Sequence, residues 1–199
     1  MRPRLVIAAH ADDETLGCGG TIAKYSRQGA EVFIGVLTRD SNDDAHQRRR
    51  EEALKAWRIL GAREAGWAEK RAHPLVRDAA VVDIVGEWLT MMRPEVVLIP
   101  HPEEQDPDHA AVAQIVGSAK LATGSTCTVL GYEVWTPLQR PLLFEDVSMQ
   151  IGMKREAIDS FASQTAERDY AEGALGLNRY RGSTSGRGAY VEAFCAVPA

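Results

Sequence analysis

Short apolar runs rich in Val and Ile alternate along this chain with longer segments of helical period, and this alternation restricts the fold more than any other feature. It is typical of an α/β domain with a mainly parallel sheet, because parallel neighbours must be joined by crossover helices. The sequence therefore predicts a Rossmann-like three-layer fold with helices on both faces of the sheet. The predicted strands cover residues 4–10, 31–38, 64–68 (the weakest pattern), 95–100 and 127–135, and the predicted helices cover 16–28, 45–60, 76–92 and 108–122.

The character of the chain changes after residue 136. In order, the pattern predicts a short strand within "LLFEDVS", a helix at 149–163, a polar, glycine-rich loop at 164–188 and a last strand at 189–197. No segment in this part resembles a solvated linker. We therefore expect one domain over 1–199, in which 136–199 form a C-terminal cap.

Composition excludes several classes of protein. A chain of 199 residues can bury a core without metals or disulfides, so a metal here would serve chemistry. The three cysteines, Cys18, Cys127 and Cys195, are widely spaced and typical of free thiols in a reducing compartment. Five apolar residues near the start are too few for a signal peptide, and no run approaches the ~18 that a membrane span needs. We expect a cytoplasmic protein.

The charge balance argues against a nucleic-acid partner. The formal net charge is −5, whereas a nucleic-acid binder usually presents a basic face. The basic run Arg48-Arg49-Arg50 is followed at once by Glu51-Glu52 and so resembles a mixed helix surface. We expect a small-molecule substrate, and the oligomeric state stays open.

A dense polar cluster follows the first apolar run. Directly after residues 5–9 stand His10, Asp12, Asp13 and Glu14, at the end of what is predicted to be a buried strand. Carboxylates this close repel one another, and a bound cation is the simplest compensation. Taken alone, a histidine at a strand end is more often a hydrogen-bonded structural group than a metal ligand.

A second cluster follows the fourth predicted strand. The segment "HPEEQDPDH" ends at His109, where the next helix begins. Because ligand sites of open parallel sheets lie beyond the carboxyl ends of the strands, His10, Asp13 and His109 are expected within reach of one ion. Two imidazoles and a carboxylate form a hydrolytic Zn²⁺ site, and the same set can hold Fe²⁺. Of Asp12 and Asp13, one would bind the ion and the other would accept a proton from water; spacing alone does not assign them.

The glycines of the first predicted helix do not form a dinucleotide-binding motif. After Gly17 and Gly19, the G-x-G-x-x-G pattern requires a third glycine where Ile22 stands. The preceding carboxylates would also repel a pyrophosphate. The glycines instead predict close packing of this helix against the sheet.

These motifs resemble the PIG-L/LmbE-like family of metal-dependent N-deacetylases. The family opens with a strand and A-H-P-D-D-E before a glycine-bearing helix, and this chain has "AHADDETLGCGGTIAKYSRQGAEV". The family's P-D-H is matched by Pro107-Asp108-His109, and its R-x-x-E segment by Arg49 and Glu52 in "RRREEALKAWRILGA". The tail, with "KREAIDSFASQ" and "YRGSTSGRGAYVEAF", is a weaker match.

The resemblance implies a role for each matched residue. His10, Asp13 and His109 would be the metal ligands, and Asp12 the general base. Arg49 would lie near the substrate and hold a phosphate or sugar oxygen; a solvated helix arginine is the simpler interpretation. The expected activity is removal of acetyl from an N-acetylglucosamine-type conjugate by water that Zn²⁺, or Fe²⁺, activates.

Two positions depart from the family pattern. Ala11 replaces the usual proline and removes no ligand. Asp106 stands where many members carry a histidine thought to stabilise the oxyanion or protonate the departing amine; a protonated Asp106 could do the same, or it could contact sugar hydroxyls. His101 is a candidate replacement for that histidine, against the simpler interpretation of a solvated loop residue. Tyr132 and Arg181 are further candidate substrate contacts at the rim.

Three alternatives remain open from the sequence. The same centre could cleave a larger amide, such as a sugar-thiol conjugate. The chain could be a sugar- or nucleotide-binding protein without catalysis, which Asp106 favours and the intact set of ligands disfavours. A Mg²⁺ phosphatase with Asp12 as nucleophile would use oxygen ligands only and would leave both histidines unexplained.

Overall fold

A computed structural model describes residues 2–166 and 168–198, and within these ranges seven strands form one sheet. The sheet order is β3-β2-β1-β4-β5-β7-β6, where β1 to β5 are parallel and β7 runs antiparallel to β5 and β6. The strands are β1 (Arg4–Ala8), β2 (Val32–Arg39), β3 (Arg63–Arg71), β4 (Val96–Pro100), β5 (Thr128–Tyr132), β6 (Leu143–Asp146) and β7 (Val191–Ala196).

Helices cover both faces of this sheet. The side chains of β1 alternate between two cores: Leu5 and Ile7 pack with α3 and α4, whereas Val6 and Ala8 pack with α1 and α2. This arrangement confirms the predicted α/β fold with a mainly parallel sheet. The helices are α1 (Asp13–Arg27), α2 (Asp43–Leu60), α3 (Ala79–Met92), α4 (Pro107–Thr123), α5 (Ile151–Asp159), α6 (Ala162–Thr165) and α7 (Tyr170–Ser185).

The last third of the chain extends the same sheet. Strands β6 and β7 join it beyond β5, and α5 and α7 pack against α1. Leu16 of α1 lies in one apolar cluster with Ile158 of α5 and Leu175 of α7. This segment therefore contributes walls beside the first helix.

The prediction of a loop over 164–188 is wrong, because α7 occupies most of it. The carboxylate of Asp169 accepts a hydrogen bond from the backbone N–H of Glu172 at 2.9 Å, and Gly186 ends the helix with φ 68°. Glycines and polar residues give this segment little intrinsic helix propensity. Buried contacts of Leu175, Asn178 and Arg181 with the rest of the chain stabilise it instead.

Two glycines of α1 allow the close packing that the sequence predicts. A Cβ atom at Gly17 would overlap the ring of Tyr132, and one at Gly20 would overlap Val147. The helix also bends at Cys18, where φ is −137° and ψ is 23°. Only glycine lets the helix approach β5 this closely.

The topology brings the two polar clusters to one edge. Strand β1 pairs with β2 on one side and with β4 on the other. The chain therefore adds β2 and β3 on one side of β1 and then crosses back to add β4 and β5 on the other. Such a switch point opens a crevice beyond the carboxyl ends of the strands.

In the part of the chain that the structure describes, no helix has the length and hydrophobicity that crossing a bilayer requires.

Candidate metal centre and active site

In the turn from β1 into α1, the side chains of Asp12, Asp13 and Glu14 point in different directions. Asp12 precedes the helix with φ 140°, a conformation that side-chain-bearing residues rarely adopt. As a result Asp13 points to two histidines, Glu14 points into the core and Asp12 lies next to Arg49. Backbone strain of this kind persists where the surroundings enforce it, often at functional sites.

Asp13 is the centre of the first cluster. Its Oδ2 accepts a hydrogen bond from the backbone N–H of His10 at 2.8 Å, and its Oδ1 lies 3.2 Å from Nε2 of His109. Although burial opposes it, the charge of His109 and the hydrogen bond with His10 hold the pKa of Asp13 well below its usual range. Asp13 is therefore an ionised carboxylate between two imidazoles.

Glu14 has a structural role rather than a place in the polar site. It is fully buried, and its Oε1 accepts hydrogen bonds at 2.8 Å from Nε1 of Trp57 and from the hydroxyl of Thr15. Burial raises the pKa of Glu14. The third carboxylate of the cluster thus anchors α1 to α2.

Asp12 is nearly buried but lines a cavity. Its Oδ2 lies 3.8 Å from Nη1 of Arg49 on α2. Burial, followed by the charge of Asp13, raises the pKa of Asp12 to about 8 despite the opposing effect of Arg49. A carboxyl group that titrates near neutrality is suited to accepting and returning protons.

His109 is fully buried near the start of α4. The side chain of Asp106 caps this helix by accepting a hydrogen bond from the backbone N–H of Asp108 at 2.8 Å. Burial lowers the pKa of His109, but the charge of Asp13 outweighs it and raises the pKa to about 10. Neither ring nitrogen makes a hydrogen bond of good geometry with the described residues: Nε2 lies 3.2 Å from Oδ1 of Asp13, and Nδ1 lies 3.8 Å from Oε2 of Glu104.

These residues fit a divalent metal ion. One ligand atom each of His10, Asp13 and His109 lie within 4.8 Å of one another. A buried polar atom without a partner is costly, and a metal ion would satisfy the ring of His109. Two nitrogens and one oxygen are the donors that a hydrolytic zinc site uses.

Asp108 orients the third member of this set. Its Oδ2 lies 3.1 Å from Nε2 of His10, while Nδ1 of His10 lies 3.5 Å from Oδ2 of Asp13. Because an ionised Asp108 can only accept, Nε2 of His10 carries the hydrogen and Nδ1 is free on the side of Asp13. A carboxylate behind a histidine in this way fixes the ring and its tautomer for metal binding.

Sequence reasoning missed a further histidine at this edge. His73, in the segment between β3 and α3, stacks on His10 with ring centroids 5.1 Å apart. Ligand atoms of His73, His10, Asp106 and Asp108 also lie within 4.8 Å of one another. In the structure β3 extends to Arg71 rather than ending at residue 68, so His73 follows the carboxyl end of a parallel strand, as the predicted site residues do.

A cavity of about 890 Å³ opens above this centre. Part of it is lined by β2, the loop after β2, α2 and β3, and several of these residues form ion pairs with one another. Arg49 lies 3.8 Å from Asp40, and His46 lies 3.1 Å from Glu69. The walls also carry three aromatic residues, Trp67, Trp135 and Tyr170.

The structure brings some of the predicted substrate contacts to the cavity and not others. Arg49 and Asp106 line it. Tyr132 is fully buried and its hydroxyl donates to the carbonyl of Ile7 at 3.2 Å, so it lies beneath α1 and not at the rim. Arg181 is buried in an ion pair with Glu133, because α7 carries it into the core.

His101 does not replace the histidine that Asp106 displaces. It is 1% exposed, its Nε2 donates to the carbonyl of Thr136 at 2.7 Å, and its Nδ1 accepts from the backbone N–H of Glu103 at 3.2 Å. Both ring nitrogens hold loops together and are therefore not available to a substrate.

A second, more apolar cavity of about 360 Å³ adjoins the first. The two cavities share Trp135 and Tyr170, whose rings lie 5.4 Å apart. Leu16, one helical turn after Asp12, and Leu177 of α7 line its interior. Space for an apolar group therefore continues from the main cavity.

Comparisons with known proteins identify a family and several similar sequences. The profile of the family described as GlcNAc-PI de-N-acetylase (PIG-L) matches residues 5–120. The uncharacterized deacetylase YaiS of Escherichia coli (strain K12) is 32% identical over 156 residues, which cover 72% of this chain and 80% of that protein. The 1D-myo-inositol 2-acetamido-2-deoxy-alpha-D-glucopyranoside deacetylase of Rhodococcus jostii (strain RHA1) is 31% identical over 164 residues, 62% of this chain and 55% of that protein.

Solved structures share the whole fold. The conserved protein TT1542 of Thermus thermophilus superposes with a TM-score of 0.87 at 27% identity, over 98% of this chain and 94% of that one. GalB, the 4-carboxy-2-hydroxymuconate hydratase of Pseudomonas putida KT2440, gives a TM-score of 0.84 at 24% identity, over 100% and 97%. The fold is thus used for more than one reaction, and the site has to carry the functional argument.

Proposed function

Because this chain belongs to the PIG-L family, we propose that it is a metal-dependent N-deacetylase acting on a sugar that carries an acetylated amine. The observation that carries the proposal is the buried ring of His109. Neither of its nitrogens has a hydrogen-bond partner of good geometry among the described residues, and it stands beside Asp13, which lines the large cavity together with His10. Two proteins of similar sequence bear the name deacetylase.

His10, Asp13 and His109 would hold the metal, for which we propose Zn²⁺, with Fe²⁺ as the alternative. When bound, such an ion supplies polarisation of the amide carbonyl and activation of an attacking water molecule. Asp108 would fix the ring of His10 through its hydrogen bond with Nε2.

Asp12 would move the protons. Its carboxylate accepts a proton from the attacking water as the C–O bond forms, and returns one to the nitrogen as the C–N bond breaks. Acetate and a free amine result. The support for this role is the position of Asp12, which lines the cavity directly before Asp13 in the chain and lies 3.8 Å from Arg49.

The cavity favours an uncharged sugar over a phosphorylated one. Among its described lining residues, carboxylates outnumber guanidinium groups, and Arg39 and Arg49 are each already beside carboxylates. Neighbouring donors and acceptors of this kind suit hydroxyl groups, whereas a phosphate would meet repulsion. The aromatic walls offer apolar faces for a sugar ring.

A larger amide substrate is the second candidate. The adjoining apolar cavity behind Trp135 and Tyr170 gives room for a group beyond the sugar, such as the thiol-bearing part of a conjugate. The same centre would perform the hydrolysis, so the two candidates differ in substrate size and not in chemistry.

The test combines metal analysis with a substrate panel. Protein purified without added metal and under anaerobic conditions should carry about one ion per chain, and restored Zn²⁺ or Fe²⁺ should support acetate release from N-acetylglucosamine glycosides. A panel of these glycosides, their 6-phosphates and larger sugar-thiol amides should rank the uncharged glycosides above the phosphates. Absence of acetate release from every member, with metal bound, would overturn the proposed function.

A further inference from the structure

We propose that His73 is a catalytic residue of this reaction: its imidazole donates a hydrogen bond to the amide oxygen as negative charge develops on that oxygen. The inference rests on the proposed function and adds a residue that the sequence motifs do not contain. No proton leaves His73 in this step, and the C–O and C–N bonds form and break as described above.

The ring of His73 stands next to the reacting centre and faces the cavity. It lies over His10 with an angle of 29° between the two ring planes, and 67% of its side chain is exposed. It lines the large cavity together with Asp12 and Asp13. A substrate amide placed beside His10 would therefore lie within reach of this ring.

The backbone holds His73 in this place at a conformational cost. Its φ is 53°, and its N–H donates at 2.8 Å to Oδ2 of Asp108, whose Oδ1 accepts from the N–H of Leu75 at 2.7 Å. The carboxylate that orients His10 thus also fixes the segment that carries His73. Positive-φ conformations persist at non-glycine residues where the surroundings enforce them, commonly at functional sites.

The imidazole of His73 is free to bind a ligand. Within the described chain it makes no hydrogen bond, and its Nδ1 lies 3.5 Å from Oδ2 of Asp108, too far for a strong one. His109 lies buried beneath the cavity floor and His101 is engaged with loops. His73 is therefore an imidazole whose donor can turn toward a substrate.

Among the described residues around His10 and Asp13, the neighbouring carboxylates and Arg49 do not offer a free donor at this position. Asp13 and Asp108 are ionised and accept only, and Asp106 is occupied in capping α4. Arg49 lies against the carboxylates of Asp12 and Asp40. A developing oxyanion is stabilised by donors already placed around it, and removing one costs about 10²–10³ in kcat.

Two substitutions test this role. His73→Ala removes the donor, and His73→Gln keeps an N–H donor that does not titrate. With metal loaded, we expect kcat for an N-acetylglucosamine glycoside to fall about 10²–10³-fold in His73→Ala, with little change in KM, and to recover to within about tenfold in His73→Gln. Arg77→Ala, an exposed change in the same segment, is the matched control and should leave kcat unchanged.

A second measurement does not depend on turnover. The affinity of the zinc-loaded protein for acetate, measured by calorimetric titration, should weaken about tenfold or more in His73→Ala and be largely restored in His73→Gln, because a hydrogen bond to a charged oxygen is lost and replaced. Zinc content and the unfolding midpoint should match the wild type in all variants.

The outcomes separate this proposal from the proposed function. An unchanged kcat and acetate affinity in His73→Ala would overturn the role of His73 while the deacetylase assignment stands. Equal losses in His73→Ala and His73→Gln, with an altered unfolding midpoint, would make the residue structural and would also overturn it. A wild-type protein that releases no acetate from any substrate, but binds acetate more tightly than His73→Ala does, would overturn the proposed deacetylase function. The hydrogen bond from His73 to a bound oxygen would still be supported.

Discussion

Two groups of buried charges, at different points along α1, differ in how completely their atoms are partnered. At the start of the helix, Asp13 lies between His10 and His109, and both ring nitrogens of His109 lack hydrogen-bond partners among the described residues. Farther along the helix, Lys154 and Glu192 are fully buried and form an ion pair at 2.7 Å.

The second group satisfies its charged atoms. Nζ of Lys154 also donates to Asn178 at 2.8 Å, and the carboxylate of Glu192 accepts the backbone N–H groups of Gly20 at 2.9 Å and Thr21 at 2.7 Å. These N–H groups follow the bend at Cys18, so Glu192 caps the second half of α1.

The comparison teaches that burial of charge does not by itself identify a functional site. Both groups are charged and largely buried, yet only the first leaves buried ring nitrogens unpaired among the residues described and lies against the large cavity. The first group is expected to contribute to activity, and the second to the stability of the fold. The following variants test that division.

The largest effect is expected from removing a metal ligand. Asp13→Ala and His109→Ala should each lose the bound ion and reduce acetate release to the background rate, while circular dichroism still shows a folded protein. The physical reason is that two remaining donors cannot retain the ion. Either variant with stoichiometric metal and full activity would show that the ligand set is misassigned.

Asp12→Asn should come next and should separate proton transfer from metal binding. The amide keeps the shape of the side chain but cannot accept the proton of water, so kcat should fall about 10²–10⁴-fold. Elemental analysis should find the same metal content as in the wild type. Activity close to the wild type would assign proton transfer to another group.

Glu192→Gln should lower the stability of the fold and leave the metal site intact. It leaves Lys154 buried without a counter-charge, which typically costs about 3–5 kcal/mol of folding free energy. Chemical denaturation measures this loss, and the folded fraction should still bind metal. Glu145→Gln is the matched control: Glu145 pairs with Lys24 near the surface, and its loss should cost about 1 kcal/mol or less. Equal losses of folding free energy in the two variants would contradict the stabilising role of the buried Lys154–Glu192 pair.

The smallest effect is expected from Arg49→Met at the edge of the first group. Arg49 lines the cavity and lies 3.8 Å from both Asp12 and Asp40, so it is expected to help hold the sugar rather than the metal. Steady-state kinetics should show KM raised about tenfold, the loss of roughly one charged hydrogen bond, with metal content unchanged. A change confined to kcat would place Arg49 in proton transfer instead.

Much of the fold and of the candidate metal site could be predicted from the sequence. The periodicity located β1, β2, β4 and β5 to within a few residues. The rule that ligands bind at the carboxyl ends of parallel strands was enough to place His10, Asp13 and His109 together. The metal itself and the roles of these residues stay predictions. The rule failed for His73 because the third strand was predicted to end too early.

Other parts of the site depend on contacts between distant segments. Arg181 was predicted at the rim, but α7 forms despite its glycines and carries Arg181 to Glu133 in the core. Tyr132 was also predicted at the rim, but Gly17 lets α1 lie directly over its ring. Neither contact leaves a local pattern in the sequence, because each depends on which helix packs against which strand.

By itself, the sequence determined the order of β1 to β5 with their connecting helices and the chemistry of the two motifs, since hydrophobic periodicity and side-chain type are local properties. Only the tertiary structure decided which carboxylate faces the histidines, which one caps a helix and which one enters the core. Those choices depend on backbone angles such as φ 140° at Asp12 and on neighbours such as Trp57 and Asp108, which the fold brings from far along the chain.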